Sequence, residues 1–492
     1  WHAGLLQKLA DIGVTGNAWR WCRAFLSDRR LRTTQDGLNS DWFSFNAGVP
    51  QGSVLSPFLF LVFINDLQDA VNHREPCDRI QTGRAIASLY ADDLALIPLS
   101  FGKTGDAEVQ EALEQLGAWA DKWRVTFNVS KSKVLCFTSR RNVPSVRVFL
   151  NGDQLQQVLT FDYLGLRWQE NGKWDEHFEK VALSATRVAG FITSLLHATG
   201  PPASVIRQLC HALIRTKILY GMPVWQPSSD VQWQRLDSIL AEPMRRCLGL
   251  PKSTHIKSLL VEMNTLWTKR QFDVLAVATC SRALSQPRQH QSHTVVQSQL
   301  DWRWPFEQRQ PIPHVARRAA TELKAPSALD RKQPSMPPQK QLVNNALALQ
   351  RVEWRKSGHG RSLYHLMPIG PRTPSYLFKD PRPAAIVRAR LRFDRSHLAE
   401  SRRRRGVQLD SIICARCNLA DNLGHFLNDC QRNARARKEA FREAELAGLP
   451  TAQPHFGLWT LGYVESMPNA RANIALAISA KFLLASRAIR KL

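Results

Sequence analysis

Long apolar runs are missing from this sequence. The most apolar stretch, Phe58–Ile64, is far shorter than the roughly 18–20 residues a membrane-spanning helix needs, and no signal-peptide pattern is visible. A membrane protein or a secreted one is therefore not expected. Acidic residues are scarce as well: 41 Asp+Glu stand against 67 Lys+Arg in 492 residues, a formal net charge of +26. That excess points to a polyanionic partner, nucleic acid or an anionic membrane surface. Cysteines are few, nine in all, and six of them (Cys22, Cys77, Cys136, Cys210, Cys247 and Cys280) stand singly in apolar segments. This speaks against a disulfide framework and fits reduced thiols in cytosol or nucleus. No internal repeat is found.

What is present suffices for a sizeable interior. The hydrophobic fraction is 44%, and the length suggests about three domains. Gly4–Leu9 and Ala18–Ser27 read as helices, and Asp41–Val49 as a strand with alternating aromatics. Ser56 and Pro57 resemble an N-cap and first-turn proline opening a helix Phe58–Leu67. Ile86–Tyr90 and Leu94–Ile97 predict two strands meeting at a tight turn. Asp106 should cap a helix whose apolar side, Val109, Leu113, Leu116, Ala120 and Trp123, keeps a helical period. Val134–Thr138, a hairpin at Asn151-Gly152-Asp153 and a strand Phe161–Trp168 follow. Helices and strands mix without a βαβ repeat, which predicts an α+β class for residues 1–170. Beyond that the pattern is helical: a stripe of Phe178, Val181, Ala185, Val188, Ile192 and Leu195, then Val205–Leu219, Trp233–Leu248 and Ser258–Ala276. Residues 171–281 thus read as an all-α domain. Residues 282–345, rich in Gln, Pro, Ser and basic residues, read as a poorly ordered basic linker. Residues 346–492 read as a mostly helical C-terminal region.

Tyr90-Ala91-Asp92-Asp93 stands between the two apolar runs. Adjacent carboxylates are costly there unless neutralised, and divalent metal does this best, as in two-metal phosphoryl transfer. Taken alone, the four letters fit a solvated turn as well. Three other motifs frame them. Gly48-Val49-Pro50-Gln51-Gly52-Ser53-Val54-Leu55-Ser56-Pro57 lies about 40 residues earlier, with glycines that let backbone approach a ligand. Phe127-Asn128-Val129-Ser130-Lys131-Ser132-Lys133 follows, then Tyr163-Leu164-Gly165-Leu166. Singly they could be a capping loop, a basic turn and a core strand.

In this order and spacing the four motifs resemble the palm of reverse transcriptases of the non-LTR (LINE-type) retrotransposon group. The resemblance implies a partial polymerase palm and a helical thumb. In it Asp92 and Asp93 hold Mg²⁺ or Mn²⁺ and are the catalytic pair. Pro50, Gln51, Gly52 and Tyr90 meet template and incoming nucleotide, Lys131 lies near its phosphates, and Tyr163–Leu166 forms a primer grip. The implied activity is RNA-directed DNA polymerase (a nucleotidyltransferase), with RNA template, DNA primer or target DNA and dNTPs as partners. The implied location is nucleus and cytoplasm, as a ribonucleoprotein. Leu219-Tyr220-Gly221 with Trp225, and Leu248-Gly249-Leu250-Pro251-Lys252, resemble downstream segments of the same elements.

The family's palm has a further aspartate-bearing strand just before the helix that Trp1-His2-Ala3-Gly4-Leu5-Leu6 resembles. The chain, opening on Trp1, is therefore expected to be a fragment, a processed product or an incomplete gene product, with little or no polymerase activity by itself. A catalytically inactive remnant that binds nucleic acid is the alternative. A group II intron maturase or a telomerase-like relative fits less well.

Cys414, Cys417, His425 and Cys430 form C-x₂-C-x₇-H-x₄-C. Three thiolates and an imidazole suit tetrahedral Zn²⁺, so residues 414–430 read as a zinc segment. It is similar to the one that ends many LINE-type polyproteins. Ser401-Arg402-Arg403-Arg404-Arg405, just before it, could be a phosphate clamp, a nuclear localisation signal or a solvated helix face. Among the fifteen tryptophans, Trp19, Trp21, Trp302, Trp304 and Trp354 stand beside arginines and could stack bases. Core packing is expected for Trp19 and Trp123, and Trp302 and Trp304 stay open.

Overall fold

The computed structural model describes the chain except for residues 46, 73–84, 101, 198–199, 302–310, 331–333, 336, 360–362, 364–372, 452–454, 465–466 and 487–492. Cys77, Trp302 and Trp304 lie outside the described residues. The chain divides into two compact units, residues 1–173 and 174–492. The first mixes helices with short strands and the second, among its described residues, is helical, so the α+β expectation holds at that level.

In the first unit the Lys103–Trp123 helix supplies one side of the core. Leu113, Leu116, Trp119, Ala120 and Trp123 are buried against Leu67, Val71, Ala85, Ala87 and Leu150. The period read from the sequence is thus the face that packs. Asp106 lies within the first turn rather than capping it, Gly102 being the cap. Buried Glu108 fixes the entry instead, accepting from Leu99 N and Ser100 N at 3.0 Å and Ser100 Oγ at 2.6 Å. The apolar helix starts on the expected N-cap residue itself, running Ser56–Ile64 with Leu55 in the cap position, and a separate helix Leu67–Asn72 follows. Among the described residues of the expected Asp41–Val49 strand, Phe43–Ser44 forms the ladder, antiparallel with Arg30–Leu31, and Phe45 N donates to Arg29 O at 2.8 Å. Asn151-Gly152 turns as expected, both residues at positive φ (53° and 85°), between Phe149–Leu150 and Asp153–Gln154. Trp123 is core, and half-buried Trp19 donates its indole N–H to Leu6 O at 3.0 Å.

The second unit opens with the Asp175–Ser194 helix, which buries Phe178, Val181, Ala182, Ala185, Ala189 and Ile192 and packs on Asp230–Cys247. Ala203–Leu209 runs through a π-helical turn, Cys210–Arg215, into Thr216–Leu219. Trp354 is buried, its indole N–H donating to Ser258 Oγ at 2.9 Å, so it is core and not a base-stacking surface.

The reading of residues 282–345 as a poorly ordered linker is corrected. Its described residues include the helices Gln291–Asp301 and Ile312–Glu322 and the start of Gln339–Lys356. Ala319, Ala320, Leu323, Ala325, Ala328, Leu342 and Ala346 are buried with Leu266, Val274 and Val277. Alanines do the packing there, so the segment looks poor in aliphatics while its helices sit close. Arg270 adds a charged tie, meeting Asp273, Glu322 and Glu353.

Two arginines of the Arg382–Arg392 helix are fully buried, against the usual rule for basic residues. Arg388 pairs with Asp380 at 2.7 Å and donates to Trp459 O, Thr460 O and Ser479 Oγ. Arg392 meets both oxygens of Glu262 at 2.7 and 2.9 Å and Leu461 O at 2.7 Å. Tyr376 completes this group, its hydroxyl donating to Glu262 Oε1 at 2.6 Å. These bonds join the Ile256–Glu262 helix to segments more than a hundred residues later.

Candidate active site and metal centre

The aspartate pair sits at the tip of a hairpin. Ala85–Tyr90 and Asp93–Pro98 pair antiparallel from Ala85↔Pro98 to Tyr90↔Asp93, leaving Ala91 and Asp92 as a two-residue loop. Ala91 has φ 52°, a left-handed conformation unusual for a residue with a side chain. Directly opposed residues share a face, so Leu89, Leu94, Ala87 and Leu96 point into the core. Tyr90, Asp93, Ser88 and Ala95 take the other face, where Ser88 and Ala95 are small side chains. Both carboxylates are exposed, as is Tyr90. Among the described residues no third Asp, Glu, His or Cys converges with them to make a three-ligand group.

Tyr163 is the motif residue nearest in effect. It ends the Thr160–Tyr163 strand, which turns through Leu164 (φ 48°) and Gly165 (φ 79°) into Leu166–Gln169. The expected strand Phe161–Trp168 is thus a hairpin. Burial, and after it the negative charge of Asp93, push the Tyr163 phenol up from its ordinary value.

The remaining motif residues lie on loops of the same unit. Gly48 and Gly52 take positive φ (79° and 85°), and His2 Nε2 is 2.7 Å from Gly48 O. Gln51 and Gly52 are exposed and Pro50 half-buried. Asn128 organises the Lys131 turn: its side-chain oxygen accepts from Lys131 N at 3.0 Å and Ser130 Oγ at 2.7 Å. The Lys131 side chain is exposed, while Lys133 is held by Ser130 O and Gln156 Oε1.

In the second unit Cys414, Cys417, His425 and Cys430 converge, their ligand atoms all within 4.8 Å of one another. Tetrahedral zinc with Zn–S near 2.3 Å sets ligand atoms roughly 3.8 Å apart, so the cluster is of the right size. His425 is buried, and outside the cysteine cluster neither ring nitrogen has a hydrogen-bond partner among the described residues. A bound cation would satisfy one of them. The segment is shaped by backbone: Cys417 N and Asn418 N donate to Cys414 O, Asn418 taking φ 53°, and Ile413 bridges Ala420. Burial works against the Cys414 thiolate, yet backbone N–H donors of Arg416 and Cys417 and the His425 ring bring its pKa down to about 6. Burial, with the neighbouring Cys414 and Cys417, raises Cys430. Asn422 was not singled out in the sequence, although Asn three residues before a helical His is a capping signal. Its side chain accepts from His425 N at 2.9 Å.

Residues 1–168 match the family described as Reverse transcriptase (RNA-dependent DNA polymerase), and this part of the chain is a reverse transcriptase domain. Its relatives come from non-LTR mobile elements. "RNA-directed DNA polymerase from mobile element jockey" of Drosophila funebris is 27% identical over 257 residues, 51% of this chain and 27% of the relative. "Probable RNA-directed DNA polymerase from transposon BS" of Drosophila melanogaster is 27% identical over 256 residues, 51% of this chain and 28% of the relative. "Retrovirus-related Pol polyprotein from type-1 retrotransposable element R2" of Popillia japonica is 25% identical over 200 residues, 37% of this chain and 32% of the relative. The chain spans about a quarter to a third of the length of these relatives. With half of the chain matched, the jockey similarity extends past the first unit into the second.

Proposed function

We propose that this chain belongs to the polymerase of a non-LTR retrotransposon, an RNA-directed DNA polymerase that joins a dNMP to a primer 3′ hydroxyl on an RNA template. The observation that carries the reading is the Tyr90–Asp93 hairpin tip within a reverse transcriptase domain. Asp92 and Asp93 would hold Mg²⁺ or Mn²⁺, which lowers the pKa of the attacking hydroxyl and neutralises charge on the leaving pyrophosphate. Pro50, Gln51, Gly52 and Tyr90 would border template and nucleotide. Lys131, on a turn preformed by Asn128, would face the nucleotide phosphates. The Tyr163–Leu166 hairpin beside Asp93 would position the primer terminus. The helices following Trp174 would serve as thumb, and Cys414, Cys417, His425 and Cys430 would bind Zn²⁺ in a module that touches RNA or target DNA. A ribonucleoprotein in nucleus and cytoplasm is the matching location.

Metal-dependent dNTP incorporation on a primed RNA template is the test. Asp92→Asn or Asp93→Asn should lower it at least about 100-fold, because metal supplies several kcal/mol and each 1.36 kcal/mol is tenfold. Incorporation untouched by both substitutions would sink the assignment. The second reading, a nucleic-acid-binding remnant, is favoured by the lack of a third converging carboxylate among the described residues. Template-primer binding without any incorporation would select it.

A further inference from the structure

The arginine run before the metal cluster is not one feature but two. Arg404 is a paired surface residue, donating to Asp394 Oδ2 at 3.2 Å and Glu400 Oε1 at 2.6 Å. Arg405 turns elsewhere and, among the described residues, binds carbonyls, Ser396 O at 2.6 Å and Ser401 O at 3.1 Å. Two more half-buried arginines from outside the run are anchored in the same way. Arg390 donates to Gly249 O at 2.9 Å and Arg395 to Ser253 O at 3.1 Å. Carbonyls hold a guanidinium in place without cancelling its charge.

These guanidinium groups lie close enough to disfavour one another. Burial and then Arg405 lower the pKa of Arg390. Burial and then Arg395 and Arg402 do the same to Arg405. Asp394 is the acid that offsets Arg405, and it is already bound by Arg404. Folding has therefore gathered like charges at a cost, and fixed Arg390, Arg395 and Arg405 with directional bonds. Arg402 and Arg403 extend the group into solvent. The Ala399–Arg404 helix that carries them is tied to the metal segment, since Ala399 N donates to Asp421 Oδ2 and Glu400 N to Asp421 O.

We propose that Arg390, Arg395, Arg402 and Arg405 form a prearranged phosphate-binding patch that takes the sugar-phosphate backbone of a polynucleotide, joining the Gly249–Ser253 loop to the metal segment. Only the choice of polynucleotide over other polyanions rests on the proposed polymerase reading. The guanidinium cluster, with Arg390, Arg395 and Arg405 anchored on carbonyls and Asp394 its one named acid, stands by itself.

Salt dependence of binding separates the patch from general positive charge. A labelled random-sequence DNA duplex and a single-stranded RNA are titrated at several KCl concentrations. Arg395→Gln, Arg402→Gln and Arg405→Gln should each flatten the log K against log salt slope by about 0.9 on duplex and about 0.7 on single strand. Arg404→Gln removes the same charge from the same run and should leave the slope unchanged. Equal slopes in all four variants and wild type, or an equal drop in all four, would overturn the proposal. So would anionic phosphatidylserine vesicles that compete the duplex off with the same arginine dependence. Should Arg405→Gln fail to fold, Arg395→Gln and Arg402→Gln decide the matter, with Arg405→Lys retaining the charge. Primer extension by Asp92→Asn reads the polymerase assignment independently, so either idea can fail alone.

Discussion

Replacing Arg392 by Met should destabilise the second unit more than any exposed substitution. Arg392 and Glu262 are both 0% exposed. The substitution removes two charge-assisted bonds to the carboxylate and one to Leu461 O. Glu262 is then left with the Tyr376 hydroxyl as its principal donor, a buried anion with one neutral partner. Breaking a buried pair in this way costs about 3–5 kcal/mol, most of it the desolvation of the survivor. For a unit of about 320 residues, an unfolding entropy of about 2.1 cal/mol/K per residue converts 4 kcal/mol to a Tm lower by about 6 °C. Calorimetry and urea titration read this directly. The triple variant Arg392→Met, Glu262→Met, Tyr376→Phe replaces the whole group by apolar side chains and should recover most of the loss. A single-variant cost below about 1 kcal/mol, or a triple variant worse than Arg392→Met, would refute the reasoning.

Buried Asp237 gives a pH prediction. Burial raises its pKa from 3.8 to about 6, although Thr268 N and Oγ1 donate to it at 2.7 Å. A raised folded pKa contributes stability below 3.8 that is lost as pH rises through 6, so Asp237→Asn should remove that pH dependence. The amide oxygen can keep both Thr268 bonds, and stability at pH 7 should rise by up to about 3 kcal/mol in chemical denaturation. Gly249 has φ 58°, and a Cβ there would stand 2.8 Å from Ile386 Cγ2, so Gly249→Ala should cost about 1–3 kcal/mol, seen as a lower urea midpoint. One equivalent of zinc per chain should be released by chelator and detected colorimetrically. His425→Ala should hold less than a tenth of it, and retention of a full equivalent would exclude His425 as a ligand.

The features legible in the sequence were those written in local chemistry. The short apolar runs flanking Asp92–Asp93, the Asn151-Gly152 turn and the Cys/His spacing each follow from a few neighbouring residues, and each took its expected form. Features set by distant partners were not legible. Arg388 and Arg392 look like surface residues until Asp380 and Glu262 are brought to them. Residues 282–345 look like linker because Ala316, Ala319 and Ala320 show little hydrophobicity individually, yet lie in a helix contact where small size is the useful property. The division of Arg404 from Arg405 was hidden for a similar reason, since adjacent identical letters on a helix point to different neighbours.

The hairpin that presents Asp92 and Asp93 also sets a rule about chain length. Because side chains alternate, adding or deleting one residue between Ala85 and Tyr90, or between Asp93 and Pro98, would exchange the two faces. Asp93 would be driven toward Ala112 and Leu116, and Leu94 would be handed to solvent. Letters here can drift provided that inward positions stay apolar, but the number of residues cannot. This segment should therefore tolerate many point changes, whereas inserting or deleting a single residue should unfold the hairpin.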